Sequence, residues 1–378
     1  MSSEKTKQIR ILHVLTAMNL AGTETLLMNF YRNIDRTMFQ FDFAVCTNER
    51  CAYDNEIESL GGKIFHYPRY IGYNHLSYEK WWNDFFVGHP EYRIVHGHIG
   101  STAAIYLKIA KKYGCYTIAH SHSTTAKVSV HSILYKIFSY PTRYIADYFF
   151  GCSKKALIDR YGKKIADNSQ KSKVLNNAID AKRFVFDLHM RNEIRQEYGA
   201  RNEEIVIGTI GRLTPQKNPY EIINICEELM NCQIDFTFWW LGDGELKTDV
   251  IKRISERGLG KYIKLLGTRN DANKVLQGMD IFLFPSVWEG LGIACVEAQA
   301  SGLPTFCSDT IPVEACATDL CHFLQLNNTS QWCEEIIKEI AAIKSNEFER
   351  KNMYDQIVLS GFDISTVAKE LERFYSSI

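Results

Sequence analysis

The sequence predicts an α/β protein made of two doubly wound, parallel-sheet domains. Short apolar runs of strand length alternate with helix-length periodic segments, and the alternation starts again after about Asp187. The length of 378 residues suits two domains. Hydrophobic residues make up 46% and charged residues 23% of the chain, which excludes a mainly disordered, collagen-like or coiled-coil protein.

The first alternating series occupies the N-terminal half. The apolar runs predicted to be strands are ILHVLTA, FDFAV, KIFHYP, RIVHGH and YTIAHS. Helical candidates lie between them near Gly22–Asn33, Tyr78–Val87 and Thr102–Tyr113. This order predicts a parallel sheet covered by helices.

The second series repeats the pattern. Its predicted strands are EIVIGTIG, DFTFWWLG, YIKLLG, DIFLFP and PTFCS, and its predicted helices lie near Pro219–Met230, Glu245–Gly258 and Leu291–Ser301. A hinge is expected around Ala181–Asn202, which sets the domains at residues 1–185 and 186–361, and Phe362–Ile378 predicts a terminal helix. Ligands of such sheets bind beyond the carboxyl ends of strands, where every motif below lies.

The net charge is zero but unevenly distributed. Residues 1–185 carry 25 Lys and Arg against 15 Asp and Glu, whereas the remainder carries 19 against 29, so one domain is expected to face an anionic surface or ligand. Two interpretations of the basic stretch Ser101–Arg183 stay open: a surface that lies on anionic lipid, or a core helix with a solvated basic face. Its interleaved aromatic residues are Tyr135, Phe138, Tyr140, Tyr144, Tyr148, Phe149 and Phe150.

Two further observations concern location and redox state. The charged N-terminus lacks a secretory apolar region, and no apolar run reaches the ~18 residues that span a bilayer, so we expect a cytoplasmic protein, peripheral to the plasma membrane if the basic domain binds lipid. The eleven cysteines include no C-x-x-C pair, so neither a zinc ribbon nor a redox motif is indicated, and reduced, mostly buried thiols are expected.

The first motif, GTIGRLTPQKNP, joins a predicted buried strand to a helix. Arg212 and Lys217 flank the entry to that helix, and Pro219 suits its first turn. A helix N-terminus attracts anions, and Arg offers two parallel donors to a phosphate. The pattern therefore favours a phosphate site, although solvated surface cations would look the same.

The second motif, FPSVWEGLGIACVE, contains Glu289 and Glu297 on either side of a Gly-x-Gly turn. Free N–H groups at the start of the helix could hold phosphate or sugar hydroxyls. Carboxylates accept hydrogen bonds from the neighbouring hydroxyls of a ribose or hexose. The alternative is a capping Glu followed by an ordinary helical Glu.

Two weaker signals follow strands of the first half. Gly22, after the first strand, permits close backbone approach to a phosphate, but the G-x-G-x-x-G fingerprint of a dehydrogenase is absent. The pairs His96-Gly97-His98 and His120-Ser121-His122 each place two imidazoles on one strand face, where they could hold a metal or a polar ligand. No Asp-x-Asp occurs, so the usual carboxylate pair for a nucleotide-bound divalent ion is missing.

Together these motifs resemble the retaining family-4 glycosyltransferases, above all the bacterial exopolysaccharide and capsule enzymes. The matching segments cover nearly the whole chain: HVLTAMNLAGTETLLMNFYRNID, YTIAHSHST, FFGCSKKA, VLNNAID, IGTIGRLTPQKNP, LGDGELK and FLFPSVWEGLGIACVEAQASGLP. The resemblance implies the GT-B fold, in which two Rossmann-like domains face each other across a cleft. It also implies that the final helix packs back on the N-terminal, acceptor-side domain.

The resemblance also implies roles for individual residues. Arg212 and Lys217 match the pair that binds the donor pyrophosphate, Glu297 matches the carboxylate on the nucleotide ribose, and Glu289 matches the group at the reacting side of the donor sugar. The amides of the intervening turn would meet sugar hydroxyls or phosphate; these residues are Gly290, Leu291 and Gly292.

In the N-terminal domain, Gly22 matches a glycine loop beside the diphosphate. His120 matches a histidine that faces the reacting sugar, and His122 competes for that role. The family loop often has two consecutive glycines where this chain has Ala21-Gly22, and Phe is usual where Leu291 stands. Neither departure removes a charged group from the implied chemistry.

The implied reaction moves a hexose or N-acetylhexosamine from a nucleotide sugar, expected to be a UDP-sugar, to a glycan or polyprenyl-diphosphate-linked saccharide, with retention of configuration. No metal, other cofactor or nucleic acid is expected. Three alternatives stay open: a UDP-sugar 2-epimerase of the same fold, a metal-dependent hydrolase built on the four histidines, and a non-catalytic lipid-surface or partner module.

Overall fold

The computed structural model describes residues 8–19, 21–122, 137–345 and 347–378, so Leu20 and Tyr135 lie outside the described residues. The chain divides into two compact units: Met1–Ala178 with Ile364–Ile378, and Ile179–Asp363. The division falls at 178/179 rather than at 185/186, because the side chains of Ile179, Ala181 and Phe184 pack in the core of the second unit.

Unit 1 contains a seven-stranded, entirely parallel sheet with the strand order β3-β2-β1-β4-β5-β6-β7. The strand order reverses between β1 and β4, which is where α/β sheets place ligands. The strands are β1 (Ile9–Val14), β2 (Phe39–Val45), β3 (Ile64–His66), β4 (Ile94–Gly97), β5 (Tyr116–Ser121), β6 (Tyr148–Gly151) and β7 (Ser172–Val174).

The helices of unit 1 include the last helix of the chain. They span Gly22–Asn33, Asp54–Ser59, His75–Gly88, Ala103–Lys112, Thr142–Ile145, Lys154–Tyr161, Lys163–Ala166 and Ile364–Ser376. Apolar residues of the last helix recur every three or four positions, which gives it one buried face. Ile364, Val367, Leu371 and Tyr375 on that face belong to the core around β1 and β2.

Unit 2 contains a six-stranded parallel sheet with the order β10-β9-β8-β11-β12-β13. Here the order reverses between β8 and β11. The strands are β8 (Ile205–Ile210), β9 (Phe236–Leu241), β10 (Ile263–Gly267), β11 (Ile281–Phe284), β12 (Thr305–Ser308) and β13 (Cys321–Leu324). The helices are Leu188–Glu197, Pro219–Asn231, Lys247–Glu256, Ala272–Gly278, Ile293–Ala300, Thr329–Lys344 and Tyr354–Leu359. The two doubly wound parallel sheets confirm the predicted fold class.

The basic stretch of unit 1 is not one amphipathic surface. Tyr148 and Phe149, with Phe150, form β6 and are buried, so these aromatic residues belong to the sheet core because the strand is covered on both faces. Phe138, Tyr140 and Tyr144 are exposed. Among the described residues, no helix combines the length and apolar character needed to cross a membrane.

Candidate functional site

The first motif of unit 2 forms a tight loop after β8. This loop lies against the turn that follows β9, and a Cβ atom on Gly242 would come within 2.1 Å of the Gly211 carbonyl oxygen. Gly242 also has a φ of +142°, which favours glycine. The Leu213 N–H donates to the Asp243 carbonyl at 3.1 Å. The loops after two neighbouring strands are therefore packed backbone to backbone.

The two cations of this loop have different surroundings. Arg212 is exposed, and its guanidinium forms no ion pair within the described part of the chain. Lys217 is largely buried: its Nζ lies 2.5 Å from Oε1 of Glu289 and 4.6 Å from the centre of the Phe284 ring. The side chains of Lys217 and Glu289 are 19% and 9% exposed, so this ion pair is shielded from solvent.

Glu289 is held by the β8 loop from a second direction. Gln216 Nε2 donates to Glu289 Oε2 at 3.2 Å and to the Trp288 carbonyl at 3.0 Å. The Val287 N–H donates to the Gln216 carbonyl at 2.8 Å. The structure therefore brings Lys217 and Glu289, predicted in separate roles, into one hydrogen-bonded group after β8 and β11.

The turn that follows Glu289 leads into the helix Ile293–Ala300. Gly292 caps this helix with a φ of +97°, and a Cβ there would lie 3.0 Å from the Phe284 ring. The side chain of Leu291 is buried in the core of unit 2, so only its backbone is available to a ligand. The first N–H groups of a helix have no partner within it and favour an anion or a hydroxyl oxygen.

Glu297 lies one residue beyond the first turn of that helix and is partly buried. Burial raises the pKa of its carboxyl to about 7, and the nearby Arg183 opposes this shift. No hydrogen bond to this carboxyl comes from the described residues. A ligand that donates hydrogen bonds would therefore find an available acceptor and would favour its ionised form.

In unit 1, Gly22 begins the helix Gly22–Asn33, whose preceding residue, Ala21, offers no side-chain cap. A Cβ on Gly22 would meet no atom within 4 Å, and the backbone there is not left-handed. Neither packing nor conformation therefore requires glycine at this position. Open space beside a helix N-terminus suits a phosphate oxygen.

Five histidines gather at the carboxyl ends of β1, β4 and β5. His13 and His96 are register partners on neighbouring strands. Nδ1 of His13 lies 3.0 Å from Nε2 of His98, and Nδ1 of His98 lies 2.7 Å from Nε2 of His122. Three imidazoles are therefore joined in series by N–H···N hydrogen bonds, so the tautomer of each ring depends on that of its neighbour.

The histidine cluster is neutral because it is buried. Burial lowers the pKa of His13 and of His122 to about 3, and burial with neighbouring imidazoles holds the pKa of His98 and His120 well below the usual range. Both ring nitrogens of His120 and Nδ1 of His122 lack a partner among the described residues. These nitrogens can serve a polar ligand.

The same histidines meet the distance requirement of a metal site. Ligand nitrogens of His98, His120 and His122 all lie within 4.8 Å of one another, as do those of His13, His96 and His98. His96 is also bonded to Tyr375, with 2.7 Å between Nδ1 and the hydroxyl. The predicted pairs are thus brought together, and the set extends to His13.

Sequence reasoning missed three residues of these sites: His13, Gln216 and Gly242. His13 lies in the first predicted strand of the same sheet as the His-x-His pairs, so its place beside them could have been predicted. Gly242 belongs to LGDGELK, where a Gly-x-Gly after a strand marks a close approach. Nothing local distinguishes Gln216 from a surface glutamine.

Comparison with known proteins adds independent information. Residues 190–356 match the family model described as glycosyl transferases group 1. The chain is 30% identical over 343 residues to EpsF of Bacillus subtilis (strain 168), which is named as a glycosyltransferase, with 89% of this chain and 88% of that protein aligned. It is 26% identical to the capsular polysaccharide biosynthesis glycosyltransferase CapH of Staphylococcus aureus over 98% of this chain and 99% of that protein. Over 150 residues, 39% of each chain, it is 32% identical to the UDP-Gal:alpha-D-GlcNAc-diphosphoundecaprenol alpha-1,3-galactosyltransferase of Escherichia coli.

Solved structures resemble the whole chain. HepE of Anabaena, in complex with UDP, has a TM-score of 0.80 at 16% identity and covers 98% of this chain and 100% of its own. WaaG, a glycosyltransferase involved in lipopolysaccharide biosynthesis, has a TM-score of 0.72 at 14% identity over 96% and 98% of the two chains. These likenesses confirm the GT-B fold. The relative that is 30% identical over 89% of this chain, together with the family match, shows that the chain belongs to the group 1 glycosyltransferases.

Proposed function

We propose that this glycosyltransferase moves a hexose or N-acetylhexosamine from a UDP-sugar to a lipid-linked or growing glycan in bacterial surface polysaccharide synthesis, with retention of configuration. The observation that carries the proposal is the shielded Lys217–Glu289 ion pair, at 2.5 Å, in the unit that also holds the exposed Arg212 and Glu297, whose carboxyl accepts no hydrogen bond from the described residues. The printed names of relatives support the substrate classes: HepE was solved with UDP-glucose, and the Escherichia coli relative is named for UDP-Gal and a diphosphoundecaprenol acceptor.

The two cations would stabilise the leaving group. As the bond between the anomeric carbon and the diphosphate oxygen breaks, negative charge grows on the diphosphate. Arg212 has no competing anion in the described chain, and Lys217 would share its charge between Glu289 and a phosphate. Preorganised donors of this kind are each worth roughly 3 kcal/mol, so the proposal uses no metal in the transfer step.

The carboxylates would bind the rest of the donor. Glu297 would accept hydrogen bonds from the ribose hydroxyls, because its own protein partners are missing and its burial strengthens such bonds. Glu289, fixed by Lys217 and Gln216, would contact the donor sugar at its reacting side. The amides of Gly290 to Gly292 would serve sugar hydroxyls or phosphate.

Unit 1 contributes its own candidates. Gly22 leaves space for a diphosphate, and His120, with two unpartnered nitrogens, is the candidate group for the reacting sugar. His122 competes for this role, because its free Nδ1 ends the series that begins at His13. Both act as neutral imidazoles that donate or accept one hydrogen bond.

The exposed aromatic residues of unit 1 support a peripheral membrane location. Phe138 and Tyr144 are exposed, and the Arg143 guanidinium stacks over the exposed Tyr140 ring at 3.8 Å. Aromatic rings with basic neighbours suit the interface of an anionic bilayer, where a polyprenyl-diphosphate acceptor would be presented. Binding to anionic vesicles that weakens with added salt would support this location, and no binding at low salt would contradict it.

One experiment tests the function as a whole. Nucleotide sugars are screened by thermal shift, since a ligand at 100 times its Kd adds about 2.7 kcal/mol of stability. The stabilising donor is then incubated with and without a saccharide acceptor, with Mg²⁺ or Mn²⁺ added or omitted. Product is expected only when the acceptor is present, at rates that do not depend on the ions. Conversion of the donor alone into its 2-epimer would show an epimerase instead.

Arg212→Ala gives the matched test of the diphosphate site. Its turnover is expected to fall about 100-fold, because a donor aimed at the developing charge is lost. Arg201→Ala is the control, since Arg201 is an exposed arginine of the same unit paired with Asp235. Equal rates in the two variants would remove Arg212 from the proposal.

A further inference from the structure

Four cysteines of unit 2 lie together although no C-x-x-C motif links them. Cys295 stands on the helix Ile293–Ala300, Cys307 on β12, and Cys321 at the start of β13, with Cys316 in the preceding loop. We refer to these four residues as the cysteine cluster. Sγ of Cys295 is 2.9 Å from Sγ of Cys307, which is 4.0 Å from Sγ of Cys321, and all three sulfurs lie within 4.8 Å of one another.

These distances fit a tetrahedral thiolate site. A zinc ion with Zn–S bonds of about 2.3 Å holds its sulfur atoms about 3.8 Å apart. The two distances to Cys307, 2.9 and 4.0 Å, lie on either side of that value, and the third is at most 4.8 Å, so shifts of about 1 Å would place the three sulfurs around one ion. The thiol of Cys316 lies outside this group of three and donates to the Thr318 carbonyl at 3.5 Å, so it would turn towards Cys321 to become the fourth ligand.

The surroundings of the cluster are organised by one buried side chain. Gln299 Nε2 shares its two hydrogens among three acceptors: the carbonyls of Ala315 and Cys295, at 2.8 and 3.0 Å, and the Cys295 Sγ, at 3.1 Å. Its Oε1 accepts the N–H groups of Ala317 and Thr318, each at 2.9 Å, and so fixes the loop that carries Cys316. Outer hydrogen bonds of this type orient metal ligands and stabilise the negative charge of a thiolate.

We propose that Cys295, Cys307, Cys316 and Cys321 bind one zinc ion in a closed, structural site of four thiolates. Binding forms four Zn–S bonds and releases the thiol protons, with no change of oxidation state. The ion would join the helix that carries Glu297 to β12 and β13. The zinc ion would stabilise unit 2 and would take no part in the proposed sugar transfer.

The test begins with the full-length protein, purified under reducing conditions without chelator. Elemental analysis by mass spectrometry is expected to find one zinc ion per chain. Replacement by Co²⁺ is expected to give thiolate-to-cobalt charge-transfer absorption, which histidine sites do not produce. Absence of bound zinc would overturn the proposal, as would a mass lower by two hydrogens, through a Cys295–Cys307 disulfide, in protein isolated without added reductant.

Variants assign the ligands. Cys307→Ala and Cys321→Ala are expected to lose the zinc, whereas Cys226→Ala and Cys333→Ala are expected to keep it, because these buried cysteines lie in a separate core of the same unit. Zinc retained in Cys307→Ala would refute the site. Gln299→Met is the second test, for the case that the variants of buried cysteines fail to fold, because it keeps all four sulfurs. It is expected to bind zinc about 10-fold to 100-fold more weakly than the wild type. An unchanged affinity for zinc would contradict the role of Gln299 in the site.

Discussion

Replacing Lys217 by Met removes the positive partner of a largely buried carboxylate while keeping apolar contact with the Phe284 ring. In the wild-type protein the ammonium lies 2.5 Å from Glu289, and the two side chains are 19% and 9% exposed. After the substitution, Gln216 Nε2 at 3.2 Å stays in place as an uncharged donor to that carboxylate. Lys217→Met is therefore expected to leave the negative charge of the Glu289 carboxylate without its cationic partner at a poorly solvated position.

The magnitude follows from this burial. Breaking a buried ion pair by removing one partner costs about 3–5 kcal/mol, and the residual exposure and the Gln216 bond place this case near 3 kcal/mol. Glu289→Gln leaves the Lys217 charge instead and is expected to cost a similar amount. The double variant removes both charges, so a coupling energy of about 2 kcal/mol is expected in the double-mutant cycle.

The assay is urea unfolding of the four proteins, followed by tryptophan fluorescence and circular dichroism. Lys252→Met is the matched control, because Lys252 pairs with Glu256 at 3.7 Å with both side chains well exposed. Exposed pairs of this kind contribute at most about 0.5 kcal/mol. A cost of Lys217→Met no larger than that of the control, or strictly additive effects, would refute the view that the pair is a shielded unit.

Substitutions at Gly22, Glu297 and Asp147 test the donor site and the acid stability of the protein. Gly22→Val is expected to leave the free energy of unfolding nearly unchanged, because a Cβ there meets no atom within 4 Å, but to reduce turnover about 10-fold or more by displacing the donor diphosphate. Gly88→Val is the control, because Gly88 is at an equally open position. Equal activities of the two variants would contradict the role of Gly22. Glu297→Gln is expected to weaken UDP binding in calorimetry by about 1.5–3 kcal/mol, the worth of hydrogen bonds to a charged group, and an unchanged Kd would remove it from the ribose site. Asp147→Asn tests acid stability. Burial alone would raise the pKa of the Asp147 carboxyl, but its hydrogen bonds to Lys111 and Thr117 lower that pKa overall. The ionised carboxylate therefore stabilises the fold at pH values above the ordinary pKa of 3.8, and this stabilisation is lost as the pH falls through the lower pKa of the folded state. The variant is therefore expected to lose less stability than the wild type on acidification, and identical pH profiles would contradict this assignment.

Much of the fold follows from local sequence. The run DFTFWWLG forms β9, and all six residues of the strand are buried, as expected of a parallel strand covered on both faces. The predicted helix Leu291–Ser301 is observed as Ile293–Ala300, with Gly292 as its cap. The short strand β7 was not predicted, because three residues with an exposed lysine show no periodicity.

The candidate site was predictable by residue but not by contact. Lys217 and Glu289 are 72 positions apart, and their ion pair depends on β8 lying beside β11. His13 and His98 are 85 positions apart and meet because β1 lies beside β4. Strand order in a doubly wound sheet is set by the packing of the whole domain, so no window of sequence contains this information.

The cysteines show the same limitation in another form. Spacing rules search for close pairs such as C-x-x-C, which this chain lacks, and the wider C-x4-C spacing of Cys316 and Cys321 supplies only two of the four sulfurs. Cys295, Cys307 and Cys321 come instead from a helix and two strands, and they meet only when those elements pack.

The last helix has a consequence for how this protein is made. Ile364–Ser376 completes the core of unit 1, yet the ribosome reaches it only after the entire continuous segment Ile179–Asp363 has been synthesised. The apolar face of unit 1 around β1 and β2 therefore stays uncovered after the whole of unit 2 has been synthesised. During synthesis from the N-terminus, unit 2 is thus the first unit that can fold completely. Unit 1 depends on protection from aggregation until the final helix emerges from the ribosome.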